Sequence, residues 1–169
     1  MLDSVPSVED VQFHSAREYN VLVCLWQAEN CRIQLSGVPY LVCTAATGSG
    51  ETLTFWLPML YQKGTTFIIV PLKNLGKQMA DVAASLELTS ASVTRDTLTK
   101  PLLKAIENRE YRVITISPEL IVDPRFWGLR KQKSWCEGVD QIIVDEFHCI
   151  DGWGGCRGEG FRPKYIELR

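Results

Sequence analysis

A chain of 169 residues with 46% apolar content has the size and make-up of one globular domain with a real core, which excludes a disordered tract. A formal charge of −2 and a pI near 5.7 exclude a global basic footprint for nucleic acid, so any such binding has to come from a local patch. Six cysteines without a CxxC pair, with only His14 and His148 to complete a metal set, suit reduced thiols inside a cell better than a structural zinc site.

In chain order, Met1 to Asp10 is acidic and lacks the basic and apolar parts of a targeting segment. No run approaches the ~20 apolar residues that span a bilayer, so the chain reads as soluble and intracellular, with no membrane partner. A helix is expected over about Val21 to Leu35 and a strand over Tyr40 to Thr44. A helix over Glu51 to Gln62 and a strand over Thr66 to Val70 come next, then a helix over Leu72 to Leu86 and a weaker strand over Ser90 to Thr94. A helix over Leu98 to Asn108 and strands over Arg112 to Ile116 and Gln141 to Val144 complete the pattern. Short β-rich runs alternating with helical stretches predict an α/β fold with a parallel sheet covered on both faces. Ligands of such sheets gather at the carboxyl ends of the strands, so polar residues after each apolar run are the candidates.

The first candidate comes just after Tyr40-Leu41-Val42-Cys43. Gly48 and Gly50 suit a loop whose backbone N–H groups cradle phosphate at the start of the next helix. The full pattern puts a lysine on the β- and γ-phosphates and a Ser or Thr hydroxyl on Mg²⁺. Thr52 supplies the hydroxyl, whereas Glu51 stands where the lysine belongs. At an effective dielectric of 20 and 4 Å, a charge pair is worth roughly 4 kcal/mol, so the inversion predicts poor triphosphate binding and little hydrolysis. In a helix's first turn the same carboxylate is favourable by about 0.3 to 1 kcal/mol. It could also fold back onto the loop amides in place of phosphate.

The second candidate is Asp145-Glu146-Phe147-His148, directly after the apolar Ile142-Ile143-Val144. Acids at a strand end beside a phosphate loop suit holding Mg²⁺, here through Asp145, and polarising a water, here through Glu146. A surface turn after a buried strand is the plainer alternative.

Taken together these segments resemble the first RecA-like domain of the RecQ family of ATP-dependent DNA helicases, in superfamily 2. Asp145 to Ile150 resembles the family's DExH box with its Cys-Ile extension; Trp153-Gly154, Phe161-Arg162-Pro163 and Tyr165 resemble the family's aromatic-rich segment downstream of that box. Ala45 to Thr52 resembles motif I apart from Glu51. Trp26-Gln27 resembles the segment whose glutamine reads adenine, Pro71-Leu72 with Leu75 and Gln78 resembles motif Ia, and Ser117-Pro118-Glu119 resembles motif Ib.

The resemblance implies a three-layer RecA-like P-loop domain with a mainly parallel central sheet, spanning 13–169 after an N-terminal extension of 1–12. On that resemblance the sequence is expected to stop short of the family's motif III and to include no second RecA-like domain. The implied nucleotide site is Gln27, Thr47, Gly48, Ser49, Gly50, Glu51 and Thr52, with ATP and Mg²⁺ as cofactors and Thr52 and Asp145 on the metal. Asp145, Glu146 and His148 are the implied catalytic set. Lys73, Asn74, Ser117, Trp153, Phe161 and Arg162 are the implied nucleic-acid contacts, for single-stranded or forked DNA. Gln27 also reads as a helix-surface residue, Ser117-Pro118 as a helix start, and Trp153 and Phe161 as core aromatics. Gly155 to Gly160 is longer than the family's linker.

The function expected is therefore the N-terminal ATP- and nucleic-acid-binding lobe of a RecQ-like 3′ to 5′ DNA helicase. Alone it is expected neither to hydrolyse ATP nor to unwind DNA, and it would need a second RecA-like domain in cis or trans. The alternative is a catalytically dead nucleic-acid- or protein-binding remnant, and an unrelated P-loop switch or kinase is a third reading. A nuclear location is expected if the source is eukaryotic.

Overall fold

The computed structural model of the chain describes residues 4–130 and 133–147. The chain divides into two compact units, Met1–Lys63 and Gly64–Arg169.

In the first unit, α1 (Val8–His14) starts at a reciprocal cap. The Ser7 hydroxyl accepts the Asp10 amide at 3.0 Å, and the Asp10 carboxylate accepts the Ser7 amide at 2.9 Å. Those two bonds hold the Asp10 carboxyl below its ordinary range. A π-helical turn, Ser15–Tyr19, stops at Asn20, whose φ of 53° is left-handed and tolerable for asparagine. Next comes α2 (Leu25–Leu35), which begins four residues later than the sequence suggests. Val11, Ala28, Cys31 and Leu57 are fully buried together, and burial pushes the Cys31 thiol up to about 12, leaving it an inert packing residue.

Two expectations fail in this unit. Tyr40 to Thr44 forms no strand; Tyr40 is 91% and Val42 78% exposed. Apolar β-prone residues become a strand only against a neighbour that completes the ladder, and no strand is present among the described residues of this unit. The helix expected over Glu51 to Gln62 splits into α3 (Leu53–Trp56) and a 3₁₀ turn, Leu57–Leu60. Pro58 is the cause, since it has no N–H to donate to the Thr54 carbonyl. That carbonyl instead accepts the Gln34 side-chain amide at 3.1 Å.

The second unit is built on a parallel four-stranded sheet. In chain order its elements are β1 (Thr65–Ile69), α4 (Lys73–Ser85), β2 (Ser90–Val93), α5 (Lys100–Glu107) and β3 (Val113–Ile116). They are followed by α6 (Pro118–Ile121), α7 (Pro124–Arg130), α8 (Lys133–Gly138) and β4 (Val139–Val144). Strand order is β2-β3-β1-β4, with Phe67 opposite Ile114 on one side and Ile142 on the other. Every residue of β1 and β3 is buried, threonines included, as in a sheet covered on both faces. β4 lies at the margin of the described sheet and leaves Ile142 52% exposed.

The core gathers Phe67, Ile69, Ile114, Ile116, Leu120 and Phe126. Helix α4 seats on the sheet through Gly76. A Cβ there would stand 3.3 Å from the Thr115 hydroxyl and from a Val70 methyl, and the Gly76 carbonyl accepts the Thr115 hydroxyl at 3.2 Å. Together these elements make the fold α/β with a parallel sheet.

Candidate nucleotide and nucleic-acid site

In the first unit the phosphate-type loop turns at Gly48 and Gly50, whose φ values of 81° and 82° are left-handed and suit glycine. The loop is held from α2 by Gln27, which is only 5% exposed. The Gln27 side-chain amide donates to the Gly50 carbonyl at 3.0 Å and the Ser49 carbonyl at 3.3 Å, while its oxygen accepts the Cys24 amide at 3.0 Å. Both amide hydrogens are thus engaged by the loop's own backbone. The Ser49 hydroxyl is buried without a hydrogen-bond partner, and the Ser49 amide bonds to the Ala46 carbonyl at 3.0 Å.

Glu51 is exposed, and its carboxylate makes no hydrogen bond or ion pair with a described residue. It therefore does not fold back onto the loop amides. Nor does it lie in the first turn of a helix: α3 begins at Leu53 with Thr52 at the capping position, and its four residues give little macrodipole. The Leu53, Thr54 and Phe55 amides bond back to the Gly50, Glu51 and Thr52 carbonyls at 3.0 to 3.1 Å. Amides that a helix start normally leaves open for an anion are occupied here.

In the second unit, the acidic turn comes directly after β4. The Asp145 amide donates to the Ile69 carbonyl at 3.0 Å, extending the β4–β1 ladder by one residue. Asp145 is half-buried and Glu146 exposed, and the Asp145 carboxylate accepts the Glu146 amide at 2.9 Å. Glu146 adopts a φ of 53°. That left-handed backbone costs a non-glycine residue about 1 kcal/mol, and such strain often accompanies a functional turn. His148, Trp153, Phe161 and Arg162 lie outside the described residues.

The carboxyl ends of β1, β2 and β3 surround a cavity of about 280 Å³. Ser117 lines it, at the capping position of α6 with Pro118 as the first helical residue, as the sequence suggests. The Ser117 hydroxyl makes no capping bond. Leu72 and Gly76 line the same cavity, and Lys73 and Asn74 form the first turn of α4 with no side-chain cap. Thr94 and Arg95, just after β2, also line it. Sequence reasoning passed over them, although the polar-residue-after-a-strand rule applies to them as to the others.

A model of the DEAD/DEAH box helicase family matches residues 26–168, which takes in Gln27, the glycine loop and the acidic turn. The chain belongs to the DEAD/DEAH box helicase family. Within it, RecQ helicases are homologues. The chain is 26% identical over 147 residues to the ATP-dependent DNA helicase RecQ of Bacillus subtilis, covering 84% of this chain and 23% of that protein. It is 30% identical over 150 residues to RecQ of Haemophilus influenzae, covering 84% and 22%. It thus spans about a quarter of the length of these curated relatives. The solved structure of the DUF1998 helicase MrfA bound to DNA and AMPPNP matches with a TM-score of 0.67 at 18% identity, over 92% of this chain and 23% of that one, a likeness of fold. The parallel sheet with its helices is that of a RecA-like helicase domain. No helix of this DEAD/DEAH box chain is long and apolar enough, among the described residues, to cross a membrane.

Proposed function

We propose that the chain is the N-terminal nucleotide- and nucleic-acid-binding lobe of a RecQ-like 3′ to 5′ DNA helicase, unable by itself to hydrolyse ATP or unwind DNA. It works with a second RecA-like domain, in cis or in trans, on single-stranded or forked DNA, in the nucleus where the source is eukaryotic. The family match and the RecQ relatives support the helicase part. DNA and AMPPNP in the solved MrfA structure support the two ligand classes.

The observation that carries the loss of turnover is the loop at Gly48 to Thr52. Thr52 in the first unit and Asp145 in the second each carry an oxygen donor of the kind that suits Mg²⁺, and Glu146 has the chemistry to orient a water. The loop's own donor set does not fit a triphosphate. It lacks a cation, presents the Glu51 carboxylate, and spends the Ser49, Leu53, Thr54 and Phe55 amides and the Gln27 side-chain amide on internal bonds. No hydrolytic step is therefore assigned to this chain. The missing cation and the inverted charge also favour a second reading, a remnant that binds nucleic acid or protein and no longer turns over ATP.

The test is titration of the chain and its Glu51→Lys variant with a fluorescent Mg-ATP analogue. Because Glu51 is exposed, each charge pair is worth nearer about 1 than 4 kcal/mol, and reversing the sign doubles the difference. The lysine variant is expected to bind roughly 30-fold tighter, from about 2 kcal/mol. Equal, tight binding by both chains would overturn the role given to Glu51. Failure of both would favour the remnant.

A further inference from the structure

Between Arg32 and Glu51 the chain has no charged residue. Within that stretch Tyr40-Leu41-Val42-Cys43-Thr44 is β-prone and free of glycine and proline. All five residues are exposed, Tyr40 and Val42 far more than Leu41. Among the described residues, 37–48 take part in a single hydrogen bond, from the Ser49 amide to the Ala46 carbonyl. The ladder donors and acceptors of Tyr40 to Thr44 are therefore open, as on an unprotected sheet edge. Low charge, β-preference and open backbone together are the make-up of a segment that pairs between chains.

The first unit has no strand among its described residues to complete this ladder, whereas a second copy of the chain brings the same segment. Run antiparallel about a two-fold axis, a strand is complementary to itself, because the N–H and C=O groups of each residue meet those of the strand opposite. Centred on Val42, the pair sets Tyr40 against Thr44 and Leu41 against Cys43. Alternation then gathers Tyr40, Val42 and Thr44 of both copies on one face, aromatic beside β-branched. Edges that avoid such pairing carry a charge, and this run has none to repel its copy. We infer that Tyr40 to Thr44 is a self-association site, at which two copies of the chain pair through a short antiparallel ladder. The site is separate from the proposed nucleotide and nucleic-acid roles and does not depend on them. A ladder of this length is marginal by itself, so association is weak and shows at high protein concentration.

The test is sedimentation velocity of the whole chain over a concentration series, with hydrogen exchange at both ends of the series. Thiols are kept reduced, because Cys43 is exposed. The weight-average sedimentation coefficient should rise with concentration, and amides of residues 40–44 should gain protection in step with it. Val42→Lys sets two ammonium groups opposite each other and should weaken association roughly tenfold. Val42→Thr keeps a β-branched, uncharged side chain and should retain most of it. Val42 is exposed, so both variants should keep the exchange pattern of β1. A coefficient that stays constant across the series would overturn the inference, as would association that survives Val42→Lys undiminished. Protection of 40–44 already complete at the lowest concentration would give the segment a partner within the chain and overturn the second copy.

Discussion

Tyr40-Leu41-Val42 in the first unit and Phe67-Ile68-Ile69 in the second are apolar triplets of similar composition in opposite surroundings. The second is 0 to 2% exposed and paired on both sides, with β3 and β4; the first is 40 to 91% exposed and outside any strand. Intrinsic β-preference does not separate them. A strand is stabilised by cross-strand pairs and by burial on the pleated face, and only Phe67 to Ile69 has both. The first unit is held instead by helix caps, by the small cluster around Val11 and Leu57, and by side-chain bonds to backbone such as those of Gln27 and Gln34.

The sharpest way to break this contrast is to truncate one ring in each segment. Phe67→Ala is expected to cost about 3 to 5 kcal/mol, the range for a fully buried aromatic. Tyr40→Ala should stay within about 0.5 kcal/mol, as for an exposed side chain. Urea melts of both variants check the pair. A cost above about 2 kcal/mol for Tyr40→Ala would mean that this ring is buried in solution.

The same contrast explains what could be read from residues alone. The four strands of the second unit were legible to within two residues because β-prone, mostly apolar runs such as Phe67 to Val70 and Val113 to Ile116 have one favourable arrangement, a sheet covered on both faces. The Ser117-Pro118 helix start was legible from capping chemistry, and Asp145 at the end of β4 from polarity after an apolar run. Tyr40 to Thr44 was misread because composition reports fitness for a ladder and not the presence of a neighbour. The split at Pro58 was available from the missing N–H and was passed over. Helices α7 and α8 had no expectation at all, since Pro124 to Gly138 mixes aromatics, charges and glycine without a clear period. At the candidate site, the engagement of Gln27 with Ser49 and Gly50 depends on a fold-back of 22 and 23 residues that no local pattern encodes.

Gln27 gives the next largest effect and sharpens the comparison from the polar side. In the second unit, α4 rests on the sheet through close apolar contact and one Thr115 bond to the Gly76 carbonyl; in the first, the loop hangs on Gln27. Gln27→Leu keeps the bulk but removes three hydrogen bonds, leaving the Cys24 amide and two carbonyls to find other partners. The expected cost is about 1 to 3 kcal/mol. Hydrogen exchange should quicken at residues 48–51 and stay unchanged in β1. Unchanged exchange across the loop would show that Gln27 does not hold it.

The smallest effect concerns the cap before α7, where the second unit uses the device that Ser7 and Asp10 use in the first. The Asp123 carboxylate accepts the Arg125 amide and its guanidinium nitrogens, each at 2.9 Å. Those hydrogen bonds, side chain first and then backbone, hold its carboxyl down at about 2, below the ordinary 3.8. A depressed carboxyl adds stability that is fully present above 3.8 and lost as pH falls through about 2. Arg125 is half-exposed, so solvent screens much of the ion pair and the cap itself carries most of the effect. Asp123→Ala should cost about 1 kcal/mol at neutral pH. Asp123→Asn keeps a capping oxygen without the charge and should recover only part of that loss. The gap between the unaltered chain and the alanine variant should narrow as pH falls from 3.8 toward 2, and a gap that stays constant through that window would show that the charge on Asp123 does not support the cap.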